Sequence, residues 1–250
     1  MSERPVYFVS DIHLNDGDQP QNALFLAFLN GPARSAGALY ILGDLFEYWL
    51  GDDVPSAIGD QVAASCRALK AQGTSVYFMA GNRDFLLGKR YAARAGFTLL
   101  PDSIVETFWG TPILLHHGDC YCVQDTQYLK YRAWAHQAWL QTLFLALPRF
   151  CRSYLAKRLR QSSKAHTTAA NPQTFHIPPT VVINAAKQAK VSTVLHGHIH
   201  RPIDTQHIAG DNIIRHVVLG EWSTEGSVGV YTPNGLALMS LDKVGQLNIA

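Results

Sequence analysis

Five short clusters in this 250-residue chain are made of residue types that bind metal ions or activate water. They are Asp11-Ile12-His13, Gly43-Asp44, Gly81-Asn82-Arg83-Asp84, His116-His117-Gly118-Asp119 and His196-Gly197-His198-Ile199-His200. Taken alone, an Asp-x-His or a Gly-Asp is commonly a turn or a helix cap. Gly-His-x-His is more specific, because imidazoles two residues apart on extended chain can face one pocket. Carboxylate, amide-oxygen and imidazole donors together suit Mn²⁺, Fe or Zn²⁺ better than Ca²⁺, and without cysteine donors a structural zinc is disfavoured. Two cations ~3.5–4 Å apart need a bridging ligand, and a carboxylate has two oxygens for that role.

Each cluster follows a stretch with strand composition: Val6–Val9, Leu39–Leu42, Val76–Met79, Ile113–Leu115 and Val194–Leu195. Ala23–Leu29 and Ile58–Ala71 have helical spacing, the second stopped by Gly73. Strands separated by helices predict an α/β layered fold. Ligands of such sheets bind beyond the carboxyl ends of the strands, where all five clusters would lie. Ile213–Leu219 and Val228–Tyr231 are strands without a helix between them, which predicts antiparallel additions.

Composition narrows the class. Hydrophobic residues make up 47% and charged residues 16%, which excludes a disordered or fibrous chain. Four cysteines exclude a disulfide scaffold, and Cys120-x-Cys122, lacking a second pair, reads as buried or inert. The N-terminus has no signal-peptide pattern. The densest apolar run, Trp139–Leu147, is about half the length of a membrane span and stops at Pro148. A cytoplasmic protein with reduced cysteines is expected.

Charge is unevenly spread. No Asp or Glu occurs from Thr126 to Ile203, a stretch that holds eleven of the 21 Lys and Arg residues. It predicts an anionic partner. Between about Val123 and Pro179 no strand is expected, only two helical stretches split by Pro148. On a helical wheel for 149–164, Arg149, Arg152, Lys157, Arg160 and Lys164 share one arc, and Phe150, Cys151, Tyr154, Leu155 and Leu159 the other. This basic amphipathic segment is either a solvated face over the core or a cap over an anionic, partly apolar ligand.

The ordered clusters resemble the signature of the calcineurin-like metallophosphoesterases. The resemblance implies an α/β fold: a two-layered β-sandwich flanked by helices, with two divalent metals at one edge. It implies that Asp44 bridges, that Asp11, His13 and His200 complete one metal, and that Asn82, His117 and His198 complete the other. His116 and His196 would lie beside the ligands or in the core. Many relatives carry His where this chain has Arg83. Arginine cannot act as an acid there, because its pKa stays above ~12. It can clamp a phosphate and stabilise developing charge, which suits a pyrophosphate bond with its good leaving group. The alternative is that Arg83 pairs with Asp84.

The chain is similar, more closely, to the UDP-2,3-diacylglucosamine pyrophosphatase family. The likeness is carried by Tyr40–Glu47, Gly51-Asp52-Asp53, Gly81–Arg90, Trp139–Pro148 and His196–Pro202. It implies hydrolysis of UDP-2,3-diacylglucosamine to UMP and 2,3-diacylglucosamine 1-phosphate in lipid A biosynthesis, with water attacking the α-phosphorus. It implies two divalent cations, Mn²⁺ foremost, and catalytic roles for Asn82 and Arg83. Substrate contacts would fall on Asn82, Arg83, Asp125, Ser163 and His198. At two further substrate positions, where the family carries Asn and Lys, this chain has Thr167 and Ala170, with Lys164 as a nearby substitute. The expected organisation is a core of 1–122 and 180–250 with an inserted helical cap at 123–179. The expected partners are the lipid-linked UDP-sugar and the anionic cytoplasmic face of the inner membrane, not nucleic acid. The rival readings are a metallophosphoesterase for another phosphoester or nucleotide, and a basic binding module without turnover.

Overall fold

The computed structural model describes residues 4–17, 19–158, 177–223 and 225–246. Two sheets face each other. The first has the order β11-β10-β1-β2-β3-β4, formed by β1 (Val6–Val9), β2 (Ala38–Leu42), β3 (Ser75–Met79), β4 (Phe97–Leu99), β10 (Ser227–Thr232) and β11 (Gly235–Ser240). The second has the order β5-β6-β7-β9-β8, formed by β5 (Ser103–Phe108), β6 (Thr111–His116), β7 (Thr193–His196), β8 (Ile203–Ala209) and β9 (Asn212–Val218). Strands β1 to β4 run parallel, while β10 pairs antiparallel with β1 and β11 antiparallel with β10. In the second sheet β6, β7 and β9 are parallel, and hairpin partners β5 and β8 close its edges.

Why the central strands read as unbroken apolar runs is visible in the layers. Phe8, Tyr40, Leu42 and Met79 from the first sheet meet Phe108, Ile113, Leu115, Leu195 and Val217 from the second, forming the inner core. The alternate residues Tyr7, Val9, Leu39 and Ile41 pack outward against α1 (Pro20–Asn30), α2 (Ala57–Ala71) and α3 (Lys89–Ala95). Leu114, Val194 and Ile214 pack on α7 (Pro179–Ala189) through Val182 and Ala186. Strands covered on both faces need apolar side chains at both parities. The sandwich flanked by helices, expected from the resemblance, is the architecture observed.

Between β6 and α7 lie a short 3-10 turn (Asp119–Tyr121) and three described α-helices, α4 (Thr126–Ala135), α5 (Ala138–Ala146) and α6 (149–158). The expected break at Pro148 is present. A second break falls at His136-Gln137, where sequence spacing gave none; the His136 ring stacks on Phe85 at 5.0 Å and its Nδ1 sits 3.7 Å from Asp102. These contacts hold His136 at the break, where the sequence has no Gly or Pro.

The wheel reading of α6 needs correction. Arg152 is only 2% exposed, with Nη1 donating to Leu50 O and to Asp53 Oδ1 (2.8 Å) and Nη2 donating to Asp53 Oδ2. Phe150 is 74% and Tyr154 58% exposed. Arg152 therefore turns inward onto the loop after β2 while Phe150, Tyr154 and Leu155 face outward, because the carboxylate of Asp53 offers a guanidinium fork a better partner than water does. Leu159, Arg160, Ser163, Lys164, Thr167 and Ala170 lie outside the described residues.

Candidate metal centre

The loops after β1, β2, β3, β6 and β7 converge at one end of the sandwich. The Gly43-Asp44 turn lies against Gly81, whose Cβ, were it any other residue, would stand 2.2 Å from Asp44 Oδ1. The same closeness binds Gly197 to Asp11, with a Cβ there 2.4 Å from Asp11 Oδ2. Both glycines are needed for the backbone approach.

Asp44 sits at the middle, 1% exposed. Its Oδ1 is 3.7 Å from His117 Nε2 and its Oδ2 is 3.9 Å from His13 Nε2. On one side, His13 Nε2 and His200 Nε2 are 3.3 Å apart, and His200 Nε2 is 3.6 Å from Asp11 Oδ1. On the other, Asn82 Oδ1 is 3.1 Å from His117 Nε2 and 3.0 Å from His198 Nδ1. The structure thus brings the seven residues named from sequence to one place, His13 and His200 beside Asp11, and His117 and His198 beside Asn82. His116 and His196 are buried away from them: His116 Nδ1 accepts from Gly118 N at 2.8 Å, and His196 pairs with His216.

The donor atoms fit divalent cations. Asp11 Oδ2 is satisfied by Ser10 Oγ and His198 N, whereas buried Asp11 Oδ1 has no hydrogen-bond partner among the described residues. His117 Nδ1 must carry its proton toward Leu42 O at 2.8 Å, which aims the Nε2 lone pair at the Asn82 carbonyl oxygen. Facing acceptors at such distances repel unless a cation or proton lies between them. The electrostatics agree. Burial pushes the His117 imidazole down, yet Asp44, Asp11 and Asp119 outweigh it and hold its pKa up to about 9, so the pocket favours positive charge. His198 differs: burial and then the His117 charge push it down to about 3.

Backbone conformation marks the same residues. Asp11, His13, Asp44, His198 and His200 have φ between 53° and 70°. Among the described non-glycine residues only Trp109 and Lys190 share that region. Left-handed conformation is strained for such residues and clusters where surrounding structure enforces it.

Asp84 was not singled out as a builder of this site by sequence. It is fully buried and accepts backbone N–H groups from Asp44, Leu45, Phe46 and Gly81 at 2.8–3.3 Å, fixing the turn that presents Asp44. Burial, and then the charge of Asp44, raise its carboxyl to about 7 despite those donors. Its oxygens go to backbone, not to Arg83. Arg83 Nε is buried and has no hydrogen-bond partner among the described residues, while the Arg83 backbone N–H donates to Asp44 Oδ1 at 2.9 Å. The guanidinium is therefore not taken by the pairing weighed from sequence.

Asp119 was quoted only as part of a cluster, yet it ties α4 to the site. Its Oδ2 accepts from Tyr128 Oη and from Arg132 Nε at 2.6 Å, and Arg132 also pairs with Asp102. Burial alone would raise Asp119; the His117 and Arg132 charges hold it well below the usual range. Asp125, expected at the substrate, caps α4 by accepting from Tyr128 N at 2.9 Å. Cys120 and Cys122 are in no disulfide, and burial pushes their thiols up to about 11 and about 12.

A family model for calcineurin-like phosphoesterases matches residues 4–202, and the chain belongs to that family. Its members use divalent metals. Among curated proteins the chain is 45% identical to a UDP-2,3-diacylglucosamine hydrolase of Enterobacter sp. (strain 638), covering 93% of this chain and 97% of the relative. It is 44% identical, over the same shares, to the UDP-2,3-diacylglucosamine hydrolase of Escherichia coli O127:H6 (strain E2348/69 / EPEC). Among solved structures, the E. coli phosphoesterase Yfce aligns over 96% of this chain and 94% of its own, at 15% identity and a TM-score of 0.46.

Proposed function

We propose that this chain hydrolyses the pyrophosphate bond of UDP-2,3-diacylglucosamine, releasing UMP and 2,3-diacylglucosamine 1-phosphate, in the lipid A pathway. The observation that carries the reading is the two-sided array around Asp44, in a chain 44–45% identical across 93% of its length to proteins bearing that hydrolase name. Asp11, His13, Asp44 and His200 would hold one divalent cation, and Asp44, Asn82, His117 and His198 the other; Mn²⁺ suits this mixed oxygen and imidazole set. Such cations supply Lewis acidity toward a phosphate and lower the pKa of water.

The chain's own residues do the remainder. Asp11 and Asp44, held by Ser10, His198 N and Arg83 N, keep the array rigid. The Arg83 guanidinium, whose Nε has no partner among the described residues, would grip a phosphate oxygen and offset charge that grows in the transition state. No acid is required on the departing side, since the leaving group is itself a phosphate. Asn82, His198, Asp125 and the segment holding Ser163, Lys164 and Thr167 would orient the substrate. Residues 123–179 would be an inserted cap on the 1–122 and 180–250 core, and the exposed Phe150, Tyr154 and Leu155 of α6 would receive acyl chains. Lys157 and Arg158, both exposed beside Phe150 and Tyr154, would meet the anionic cytoplasmic face of the inner membrane, with Arg149 adding to them although it also pairs with Asp53 at 3.2 Å. Among the described residues no helix is long and apolar enough to cross a membrane.

The test is purified protein with UDP-2,3-diacylglucosamine, with and without Mn²⁺, reading UMP. Metal-dependent UMP release is the expected result. No turnover in protein that binds two Mn²⁺ per chain would refute the substrate assignment.

A further inference from the structure

The two halves of the array are supported differently. On the Asp11 side, both imidazoles have a carboxylate behind them. His13 Nδ1 lies 3.1 Å from Glu47 Oε2, a contact off the N–H axis, and His200 Nδ1 is hydrogen-bonded to Glu221 Oε2 at 2.9 Å. Glu221 is braced in turn by Ser223 Oγ, which donates to its Oε1 at 3.0 Å. A carboxylate accepts only, so it keeps the proton of His200 on Nδ1 and leaves Nε2 bare; Glu47 biases His13 the same way. The two Nε2 lone pairs then meet at 3.3 Å, next to the unpartnered Asp11 Oδ1. On the Asn82 side the supports are neutral. His117 Nδ1 rests on the Leu42 carbonyl, and the oxygen donor is an amide. The further acid there is Asp119, which hydrogen-bonds neither imidazole: its Oδ2 is taken by Tyr128 and by Arg132, whose cation offsets its charge, and its buried Oδ1 has no hydrogen-bond partner among the described residues.

We infer that Glu47 and Glu221 are positioning residues for His13 and His200, and that they make the Asp11–His13–His200 half the tighter of two unequal divalent-cation seats. The inference rests on the two-cation reading above and adds an order to it: this half fills first, and the Asn82–His117–His198 half holds the more exchangeable ion. Two forces act together. Each carboxylate fixes ring orientation and raises imidazole basicity, as partners behind metal-bound histidines do. Each also adds negative charge on one side of Asp44 alone. Glu221 is 42% and His200 40% exposed at the side chain, so solvent screens that pair; Glu47 and His13, at 18% and 15%, are better shielded. Glu47 therefore carries more of the charge effect, and Glu221 more of the orientation.

Mn²⁺ titration of the metal-stripped protein, followed by electron paramagnetic resonance of the free ion, separates the two steps without reference to turnover. For the wild-type chain, two steps of unequal affinity are expected. Glu47→Ala and Glu221→Ala should each weaken the tighter step by ~10- to 100-fold and leave the weaker step within threefold. Glu221→Gln, which keeps an acceptor for Nδ1–H, should lose clearly less than Glu221→Ala. The metal-free melting temperatures should match wild type, since neither residue is in the core. Unchanged affinities, equal weakening of both steps, or equal losses for Gln and Ala at 221 would overturn the inference. A wild-type chain that binds no Mn²⁺ would overturn the two-cation reading itself, and this inference with it. Two Mn²⁺ bound with variants like wild type would overturn the inference alone.

Discussion

Replacing Arg152 by Met would remove the guanidinium while keeping a long apolar stem in its place. Three hydrogen bonds would go: the contact to Leu50 O and the two parallel bonds to Asp53. Arg152 is 2% exposed at the side chain, but Asp53 is 34% exposed and can recover water once the pair is broken. The loss should thus fall below the ~3–5 kcal/mol of a fully buried pair and above the ~1 kcal/mol of a surface one. About 2–3 kcal/mol is the expected value. The bonds join α6 to the loop after β2, not the two sheets to each other. The cost should therefore show as local opening of α6 more than as global unfolding. At ~1.4 kcal/mol per decade, backbone amides at 149–158 should exchange about 30- to 150-fold faster in the variant. Hydrogen exchange read by mass spectrometry gives that number directly, with α2 and β1 peptides as internal controls. Exchange within threefold of wild type would mean that packing of the cap, not this arginine, holds α6 down. The pH dependence has a definite sign. Arg152 hydrogen bonds hold the Asp53 carboxyl well below the usual carboxylate range, so its contribution is present above the unfolded value near ~3.9 and is lost as pH falls toward the folded one. Acidification should loosen wild-type α6 and affect Arg152→Met less, since only the exposed Arg149–Asp53 pair remains there.

Asp44→Ala should abolish activity and cut metal content, because its two oxygens face both halves of the array; full metal occupancy with unchanged turnover would reject the bridging role. Arg83→Ala should lower kcat by ~10²–10³ with metal content intact, as loss of transition-state charge stabilisation does; elemental analysis that shows metal lost together with activity would make Arg83 structural. Phe150→Ser combined with Leu155→Ser should raise KM for the diacylated substrate and leave a small soluble phosphodiester untouched. Paired kinetics decide it, since equal losses on both substrates would dismiss an acyl-binding face. Gly197→Ala should shift the His198–His200 loop, since its Cβ would fall on Ser10 and Asp11; metal content equal to wild type would show that the loop yields more easily than the distances imply.

Much of the site was legible because its residues announce themselves by type and order. The strands Val6–Val9, Leu39–Leu42 and Val76–Met79 are unbroken apolar runs, and such runs point to buried parallel strands. Edge strands were harder. In β8 and β5 burial alternates with exposure along short, polar-rich stretches, and their place depends on hairpin partners more than on composition. Arg152 shows the limit of a wheel: it sorted side chains by polarity, while Asp53, about a hundred residues away, decided which side faces in. Asp84 shows another. A carboxylate that serves backbone N–H groups has no spacing signature, and only the closed Asp44 turn reveals its use. The His136-Gln137 break was equally hidden, because no local Gly or Pro marks it.

Five candidate ligands held left-handed carry a further consequence, for engineering. At ~1–3 kcal/mol each, the strain at Asp11, His13, Asp44, His198 and His200 totals on the order of 5–15 kcal/mol, as large as the net stability of a typical domain. Glycine at any of these positions would relieve its share and erase a donor in the same stroke. A directed-evolution campaign scored on melting temperature alone, in buffer with chelator, would therefore drift toward glycine in these loops and return robust, dead proteins. Screening with divalent cation present reverses that incentive, because bound metal rewards the strained form by mass action.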